Sequence, residues 1–257
     1  MAVLNILQRA LEHLPVRGKG RLAEQILRHA KTETLKCSPV PGLEIHLRRS
    51  QRIERLMWAG AYERRLVVLL KKIVKPSMTV FDVGANIGYI SAIAAGLAGQ
   101  GGHVYAFDPN PECYARLKLN LGGFQQAYPH QLAISDYAGT VPLYLSEIVE
   151  EQGWGSLLKD DTTVRRTMDV EVTTIDDFVN RYEIRQVHLI KMDIEGNEMH
   201  ALRGARQVIK RDHPAIIAEL NAPCLARDGA KPNDVIEFLT TSGYSVRFLD
   251  SDNIYAE

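Results

Sequence analysis

The sequence predicts an α/β fold with a mostly parallel sheet and helices on both faces. Strand-like and helix-like segments alternate from residue 79 onward, a pattern typical of parallel strands joined by crossover helices. An acidic turn with two glycines, from Asp82 to Gly88, joins the first of these strands to its helix. Acidic residues also follow the later strands, at the edge of the sheet where α/β proteins bind their ligands.

Composition limits the class of protein. The 257 residues include 31 Lys and Arg and 31 Asp and Glu, so the formal net charge is zero. This balance argues against a nucleic-acid substrate, because such a substrate normally requires a basic surface. The three cysteines form no C-x-x-C pair, which indicates neither a zinc site nor a disulfide framework and favours a cytoplasmic location. No apolar run reaches the ~20 residues of a membrane span, and no secretion signal is evident.

An N-terminal extension, residues 1–75, is predicted to precede the main domain, residues 76–257. A leucine stripe indicates a helix over residues 2–14, and a second helix is expected over 21–29. A short strand over 43–47 and a helix that Ser50 caps and that ends at Trp58 follow. A further helix over 60–74 completes the extension. Packing against the main domain is favoured, with a cap over the substrate cleft and membrane contact as the alternatives. The polar face of the first helix is not rich in Lys and Arg, which argues against a membrane.

The main domain is predicted to alternate strands and helices. Its strands are expected at 79–83, 103–107, 131–135, 187–192, 215–220 and 244–249, with a last edge strand at 253–255, and its helices at 87–97, 111–120, 197–210 and 232–242. A polar insert at about 137–174, with strands at 140–145 and 168–173, interrupts the alternation. Long inserts of this kind are usually functional, so Trp154 and Ser156 are predicted to bind substrate. Alternatively, Trp154 anchors the insert on the body of the protein.

The turn after the first strand indicates which ligand it holds. A dinucleotide fingerprint has three glycines, G-x-G-x-x-G, whereas Asn86 occupies the middle position between Gly84 and Gly88. Asp82 would repel a pyrophosphate but suits the ammonium group of S-adenosylmethionine. The helix that follows directs its free N–H groups toward the turn. The residues predicted to contact the cofactor here are Asp82, Gly84, Ala85, Asn86, Gly88 and Tyr89.

Residues after the second and third strands are expected to complete the cofactor site. Asp108 follows Gly88 by about 20 residues, the position from which an acid accepts hydrogen bonds from ribose hydroxyls. Pro109 and Asn110 adjoin it, and Ala133 and Asp136 are placed to face an adenine. Tyr62 and Glu63, just before the main domain, are predicted to line the same pocket, with an exposed helix start as the alternative.

Several stretches of the chain together resemble the FkbM family of S-adenosylmethionine-dependent methyltransferases. They are residues 81–89, 107–111, 133–136 and 190–198, with further matching features at 60–63 and 202–205. The resemblance covers about residues 45–220. It implies a class I methyltransferase (Rossmann-like) fold and O-methylation of a hydroxyl on a sugar, lipid or polyketide-type metabolite. Asp108 departs from the family, which usually carries Glu there, but the shorter acid can still bind a ribose.

Acids at the later strand ends provide candidates for catalysis. Asp193 is the first candidate for the base that removes the acceptor proton, and Glu195 is expected to share that role or to orient the acceptor. Glu219 and Asn221 are predicted to bind substrate. His188 and His200 are alternative bases. Asp193 is also predicted to contact the cofactor. A divalent metal such as Mg²⁺ is not favoured, because spacing reveals no third ligand near Asp193 and Glu195.

Three alternatives stay open: N-methylation, an NAD-dependent oxidoreductase on a related fold, and a non-catalytic partner subunit. The expected partner is a small hydroxylated molecule, without nucleic acid or a membrane span, and a homo-oligomer is compatible with the sequence.

Overall fold

A seven-stranded sheet lies at the centre of the computed structural model, which describes residues 7–8, 11, 18–40, 43–146, 155–158 and 164–257. The strands are β1 (Thr34–Cys37), β2 (Ile45–Arg48), β3 (Thr79–Val83), β4 (His103–Phe107), β5 (Ala127–His130), β6 (Ala133–Ile134), β7 (Gly139–Ser146), β8 (Gly155–Ser156), β9 (Val164–Thr173), β10 (Leu189–Met192), β11 (Ala215–Glu219), β12 (Val246–Phe248) and β13 (Asn253–Ala256). The helices are α1 (Lys19–Arg28), α2 (Arg52–Trp58), α3 (Arg64–Ile73), α4 (Tyr89–Ala98), α5 (Pro111–Leu121), α6 (Ile175–Arg181), α7 (Glu198–Arg203), α8 (Arg206–Asp212), α9 (Ala222–Leu225) and α10 (Pro232–Thr241), with a 3₁₀ helix at Ala226–Asp228.

The order of strands in the central sheet is β5-β4-β3-β10-β11-β13-β12. The strands from β5 to β11 are parallel, and β13 is antiparallel to both of its neighbours. The strand order reverses between β3 and β10, which defines the switch point at which α/β proteins bind ligands. The prediction of a mostly parallel, Rossmann-like sheet is confirmed.

Helices cover both faces of this sheet. All five residues of β3 are buried, which explains its continuous apolar run. On one face, α4 packs with small side chains, among them Ala92 and Ala94, beside α5 and the N-terminal segment. On the other face, α6, α7, α8 and α10 pack around Phe81 and Phe178. The two apolar clusters hold the carboxyl ends of β3, β4 and β10 in register.

The third parallel strand differs from its prediction. The strand that pairs with β4 is β5, whereas within the predicted range 131–135 only Ala133–Ile134 is extended, and it pairs with β9. β5 has no apolar run and contains Pro129, which is tolerated because β5 is an edge strand. β6, which precedes the insert, forms a separate four-stranded sheet with β7, β8 and β9 of the insert.

Three other sequence predictions are corrected, and one helix was missed. The strand at 253–256 lies between β11 and β12 rather than at the edge. The predicted helix 197–210 is two helices, because Gly204 breaks it where the backbone presses against Ser135. The helix α6, which Thr174 caps, was not predicted. Ser50 does not cap α2, since Gln51 precedes that helix without a side-chain cap.

The N-terminal segment docks on α5 through ion pairs. Glu54 and Arg116 form a buried salt bridge, and Arg48 pairs with Glu112 at 2.7 Å. The amide of Asn120 bridges to His46 and to the carbonyl of Ile87. Packing of the extension on the main domain is thus observed for residues 18–40 and 43–73. The predicted helix over 2–14 lies largely outside the described residues, and the domain boundary at 75/76 stays a prediction.

Across the described ranges, no helix combines the length and the apolar character required to cross a membrane.

Candidate active site

A cleft opens at the carboxyl ends of β3, β4, β10 and β11. Its floor is the turn after β3, and its walls come from the N-terminal segment, the insert sheet and the loop after β10. The described part of the chain has six non-glycine residues with positive φ, and three of them, Glu63, Asn86 and Glu195, line this cleft. Strained backbone of this kind clusters at functional sites.

Protein packing favours glycine at position 84, and a positive φ of 87° favours it at position 88. A Cβ on Gly84 would lie 1.8 Å from the carbonyl oxygen of Asp193, and Gly84 has φ 78°. A Cβ on Gly88 would lie 2.7 Å from a methyl carbon of Leu117. The backbone N–H groups of Gly84 and Ala85 both donate to the carbonyl of Phe107. The turn is therefore fixed against β4 and β10, and Gly88 does not line the cleft.

Asp108 lies in the wall of the cleft with both carboxylate oxygens engaged. They accept hydrogen bonds from the backbone N–H groups of Asn86, at 2.8 Å, and Asn110, at 2.9 Å. Burial raises the pKa of Asp108 to about 7, although these two hydrogen bonds oppose the shift. A carboxylate has about four acceptor positions, so two remain for a ligand. Pro109 and Asn110 line the cleft beside it.

Asp82 lies beneath the cleft rather than in its lining. Its carboxylate accepts a hydrogen bond from Ser91 at 2.5 Å and lies 3.3 Å from the ammonium of Lys191. The cation next to Asp82 is therefore part of the chain. Sequence reasoning missed Lys191, although a lysine inside an apolar strand indicates a buried charge that needs a partner. The predicted contact of Asp82 with a cofactor ammonium stays a prediction, and Lys191, unlike Asp82, lines the cleft.

Three carboxylates of the cleft lining lie close together. Oxygen atoms of Asp193, Glu195 and Glu219 all lie within 4.8 Å of one another. Burial, followed by the nearby charge of Asp193, raises the pKa of Glu219 to about 9. Glu219 is thus the third acid near Asp193 and Glu195 that sequence spacing did not reveal. Such oxygen ligands could hold a divalent cation, and at neutral pH a proton on Glu219 serves the same purpose of reducing repulsion.

The loop that carries Asp193 and Glu195 is held from several sides. Glu198 accepts hydrogen bonds from the N–H groups of Ile194 and Gly196. The amide of Asn197 donates to the carbonyl of Ile134 at 2.8 Å. Burial raises the pKa of Glu198 to about 7. The loop is therefore tied to β6, and Glu198 supports the backbone of the loop rather than lining the cleft.

The predicted substrate-binding residues have different positions. Glu219 lines the cleft. Ser156 donates to the backbone carbonyl of Glu195 at 3.0 Å, and Asn221 caps α9 by accepting from the N–H of Cys224. Neither Ser156 nor Asn221 lines the cleft. Trp154 lies outside the described residues. The roles of all four in substrate binding stay predictions.

The N-terminal segment and the insert supply the remaining walls. Tyr62 and Glu63 line the cleft as predicted, and Tyr62 packs edge-on against Tyr89 at 5.8 Å between ring centroids. Burial and four surrounding carboxyl groups raise the pKa of Tyr62. Apolar residues complete the walls, and sequence reasoning missed them because they carry no chemical signature. They are Ile53, Met57, Ile90, Ile134, Leu143, Leu157 and Ile194.

Two histidines and one acid of the predicted site are engaged elsewhere. His188 accepts a hydrogen bond from the N–H of Thr79 at 3.0 Å. His200 lies between Asp136, at 2.8 Å, and Asp228, at 2.6 Å. Although burial opposes the shift, these two hydrogen bonds raise the pKa of His200. Neither histidine nor Asp136 lines the cleft, whereas Ala133 does. The adenine contact of Asp136 stays a prediction.

Fold and site together define an α/β enzyme whose cleft joins an acid suited to a ribose with a cluster of carboxylates. Comparison with known proteins identifies the family. The Methyltransferase FkbM domain matches residues 82–246, which is more than half of the chain. The chain belongs to the FkbM family of S-adenosylmethionine-dependent methyltransferases.

Individual relatives are distant. Hexuronic acid methyltransferase AglP of Haloferax volcanii is 24% identical over 184 residues, covering 71% of this chain and 70% of that protein. 2-O-methyltransferase NoeI of Sinorhizobium fredii is 26% identical over 160 residues, covering 58% of this chain and 64% of that protein. Among solved structures, methyltransferase FkbM from Methylobacillus flagellatus aligns with 17% identity and a TM-score of 0.47, covering 93% of this chain and 59% of that chain.

Proposed function

We propose that the protein transfers a methyl group from S-adenosylmethionine to a hydroxyl group of a small, uncharged, polyhydroxylated molecule such as a neutral sugar. The observation that carries the proposal is the shared cleft, whose wall contains both Asp108, at the end of β4, and the carboxylate cluster around Asp193, at the end of β10. One cavity thus contains a carboxylate that can accept hydrogen bonds from ribose hydroxyls and a group that can accept the proton of an attacking hydroxyl.

The residues of the cleft fit the cofactor. Asp108 presents free acceptor positions to the two ribose hydroxyls, as argued from its hydrogen bonds with Asn86 and Asn110. Ala133 and Ile134 offer an apolar surface to the adenine. With Asp82 engaged by Lys191, the carboxylates of Glu63 and Asp193, which line the cleft, are the proposed partners of the ammonium group. When bound, the cofactor supplies an electrophilic methyl group on a sulfonium.

Asp193 is the proposed general base. Its carboxylate is 30% exposed, lines the cleft and has Lys191 at 3.6 Å and Glu219 as neighbours. It accepts the proton of the acceptor hydroxyl late in the reaction, when that proton has become acidic. Glu195 lies beside Asp193. Its carboxylate accepts a hydrogen bond from the thiol of Cys224 at 3.3 Å, which orients it. The main contribution of the protein is alignment, worth roughly 7–11 kcal/mol in well-oriented reactions.

Charge distinguishes an uncharged acceptor from an acidic one. Four carboxyl side chains of the cleft, Glu63, Asp193, Glu195 and Glu219, surround the acceptor side, whereas the Lys191 cation is shared with Asp82. Even with a proton on Glu219, whose pKa is raised to about 9, Asp193 and Glu195 remain on this side of the cleft, and an acceptor carboxylate would meet their negative field without a cation of its own. Although the relative AglP is named for a hexuronic acid, we therefore propose a neutral acceptor for this chain. An amine acceptor, and thus N-methylation, is the second candidate because the same field attracts cations.

Methyl transfer from radiolabelled S-adenosylmethionine tests the proposal. The acceptor panel contains the methyl glycosides of neutral hexoses, of hexuronic acids and of amino sugars. We expect kcat/KM to be highest for a neutral glycoside, and transfer to nitrogen of an amino sugar would instead support the second candidate. Absence of transfer to every member, despite cofactor binding, would refute the acceptor class.

Variants of the same enzyme test the base. We expect Asp193→Asn to lower kcat by roughly 10²- to 10⁴-fold while the dissociation constant of S-adenosylhomocysteine stays near that of the wild type. Asp177→Asn, an exposed aspartate of α6 outside the cleft, is the matched control. Full activity of Asp193→Asn would exclude the base role. Loss of wild-type activity with a chelator would show that Asp193, Glu195 and Glu219 act through a metal.

A further inference from the structure

We propose that Lys191 is a positioning residue that holds the carboxylate of Asp193 in a fixed relation to the turn after β3. The inference rests on the proposed function, because it concerns how the base for methyl transfer is aligned. Lys191 is not among the site residues predicted from the sequence, and it is the next-to-last residue of β10.

The ammonium group of Lys191 connects three segments of the chain. It donates a hydrogen bond of 3.1 Å to the carbonyl of Gly84, and it lies 3.3 Å from Asp82 and 3.6 Å from Asp193. An ammonium has three N–H donors, and three oxygens from β3, the turn and the end of β10 surround this one. The side chain is only 7% exposed. Its position is therefore set by these oxygens rather than by solvent.

The two carboxylates that share this cation have different environments. Asp82 is 1% exposed and Asp193 is 30% exposed. Neutralising the buried Asp82 would require one contact only, whereas the ammonium also reaches the carboxylate that faces the cleft. A buried lysine costs several kcal/mol in lost hydration, so a site that needed only packing would favour an apolar residue. The second contact gives Lys191 a role at the reacting end of the cleft.

The backbone near Asp193 is already immobilised by other contacts. Its N–H donates to the carbonyl of Val83 at 3.1 Å, and its carbonyl lies where a Cβ on Gly84 would be. The side chain retains the freedom to rotate about its own bonds. Lys191 on one side and Glu219 on the other restrict that rotation. Loss of Lys191 is thus expected to change the direction of the carboxylate rather than the position of the strand.

If the role of Lys191 were purely structural, Lys191 would only neutralise the charge of Asp82. Lys191→Met alone leaves that buried charge unpaired and is expected to lower the melting temperature. Adding Asp82→Asn removes the unpaired charge, so the double variant separates stability from alignment. The comparison is therefore between Asp82→Asn and the double variant Asp82→Asn/Lys191→Met, both made in the full chain.

Three measurements decide the question: the melting temperature, the dissociation constant of S-adenosylhomocysteine, and kcat at saturating cofactor with the best glycoside of the panel. We expect the double variant to match Asp82→Asn in melting temperature and cofactor affinity but to have a kcat roughly 10²-fold lower, the cost of a small misalignment. Equal kcat values would show that Lys191 only neutralises Asp82 and would overturn the inference. Weaker cofactor binding with unchanged kcat would also overturn it, because Lys191 would then serve the turn. A wild type that transfers no methyl group would refute the proposed function together with this inference.

Discussion

Replacing Asp108 with alanine removes the carboxylate that is proposed to accept hydrogen bonds from the ribose hydroxyls of the cofactor. Each hydrogen bond to a charged acceptor contributes about 1.5–3 kcal/mol, and the structure leaves Asp108 positions for two of them beyond those used by Asn86 and Asn110. Two such bonds amount to about 3–6 kcal/mol, which corresponds to a rise of roughly 10²- to 10⁴-fold in the cofactor dissociation constant. Isothermal titration calorimetry with S-adenosylhomocysteine measures this change.

Asp176→Ala is the matched control for this variant. Asp176 is 8% exposed against 6% for Asp108, and its carboxylate also accepts two backbone N–H groups, those of Gln207 and Val208. Both variants therefore lose the same kind of local hydrogen bond, but only Asp108 lines the cleft. Equal cofactor affinity in the two variants would refute the ribose role and leave Asp108 as a support for the turn.

The pH dependence of cofactor binding provides an independent test. Burial raises the pKa of Asp108 to about 7, and ribose hydroxyls bind the ionised carboxylate. As the pH falls below 7, binding must first release the proton, so the dissociation constant should rise by up to tenfold per pH unit. Asp108→Asn should remove this dependence. A wild-type affinity that is constant between pH 8 and pH 5.5 would contradict the assignment.

Three further predictions concern stability. Burial and Asp193 raise the pKa of Glu219 from 4.5 to about 9, so between these values the folded chain keeps a proton that the unfolded chain releases, and stability falls as the pH rises. The melting temperature of Glu219→Gln should therefore gain on that of the wild type from pH 5 to pH 9. A difference that stays constant with pH would be contrary evidence. Glu54→Ala removes the carboxylate partner of the largely buried Arg116, whose hydrogen bond to the carbonyl of His46 remains, and should lower the free energy of unfolding by up to about 3–5 kcal/mol in urea titrations. Glu44→Ala, at the exposed pair with Lys36, should cost at most ~1 kcal/mol. The pKa of His200 is raised above 6.5, so its bonds to Asp136 and Asp228 stabilise the fold fully below pH 6.5 and are lost as the pH rises through the folded-state pKa. The wild type should be more stable than His200→Gln at pH 5.5 and should lose that advantage at alkaline pH. An advantage independent of pH would show that a charged His200 imidazolium does not stabilise the fold.

The core of the fold was predictable because burial on both faces gives a strand a continuous apolar run. β3 and β4 have the predicted bounds for this reason. β5 was placed a few residues too late because its residues are mostly half-exposed and include Pro129, so local pattern did not reveal it. Pairing with β4, a long-range contact, determines the strand instead. The break of the predicted long helix at Gly204 likewise depends on a distant backbone, that of Ser135.

The site was predictable to the extent that its residues follow a strand directly. Asn86, Asp108 and Asp193 come immediately after buried strands and do line the cleft. Residues brought by other parts of the chain could not be found in this way. Ile53 and Leu143 have ordinary apolar patterns, and the proximity of Glu219 to Asp193 depends on the pairing of β10 with β11. Asp82, by contrast, lies beneath the cleft with the ammonium of Lys191 at 3.3 Å, and its predicted contact with the cofactor stays a prediction.

The contacts around Gly84 link the turn after β3, which is predicted to contact the cofactor, to the end of β10, where the proposed base Asp193 lies. The carbonyl of Asp193 occupies the space beside Gly84, so neither the turn nor the end of β10 can shift without the other. Reactions of this type depend on alignment to within a fraction of an ångström, which favours one rigid frame for the group that holds the cofactor and the group that accepts the proton. The apolar walls formed by Met57 and Leu157 come from separate packing units, the N-terminal segment and the insert. Substitutions in those walls can therefore alter which acceptor fits while the alignment of Asp193 with the turn is retained.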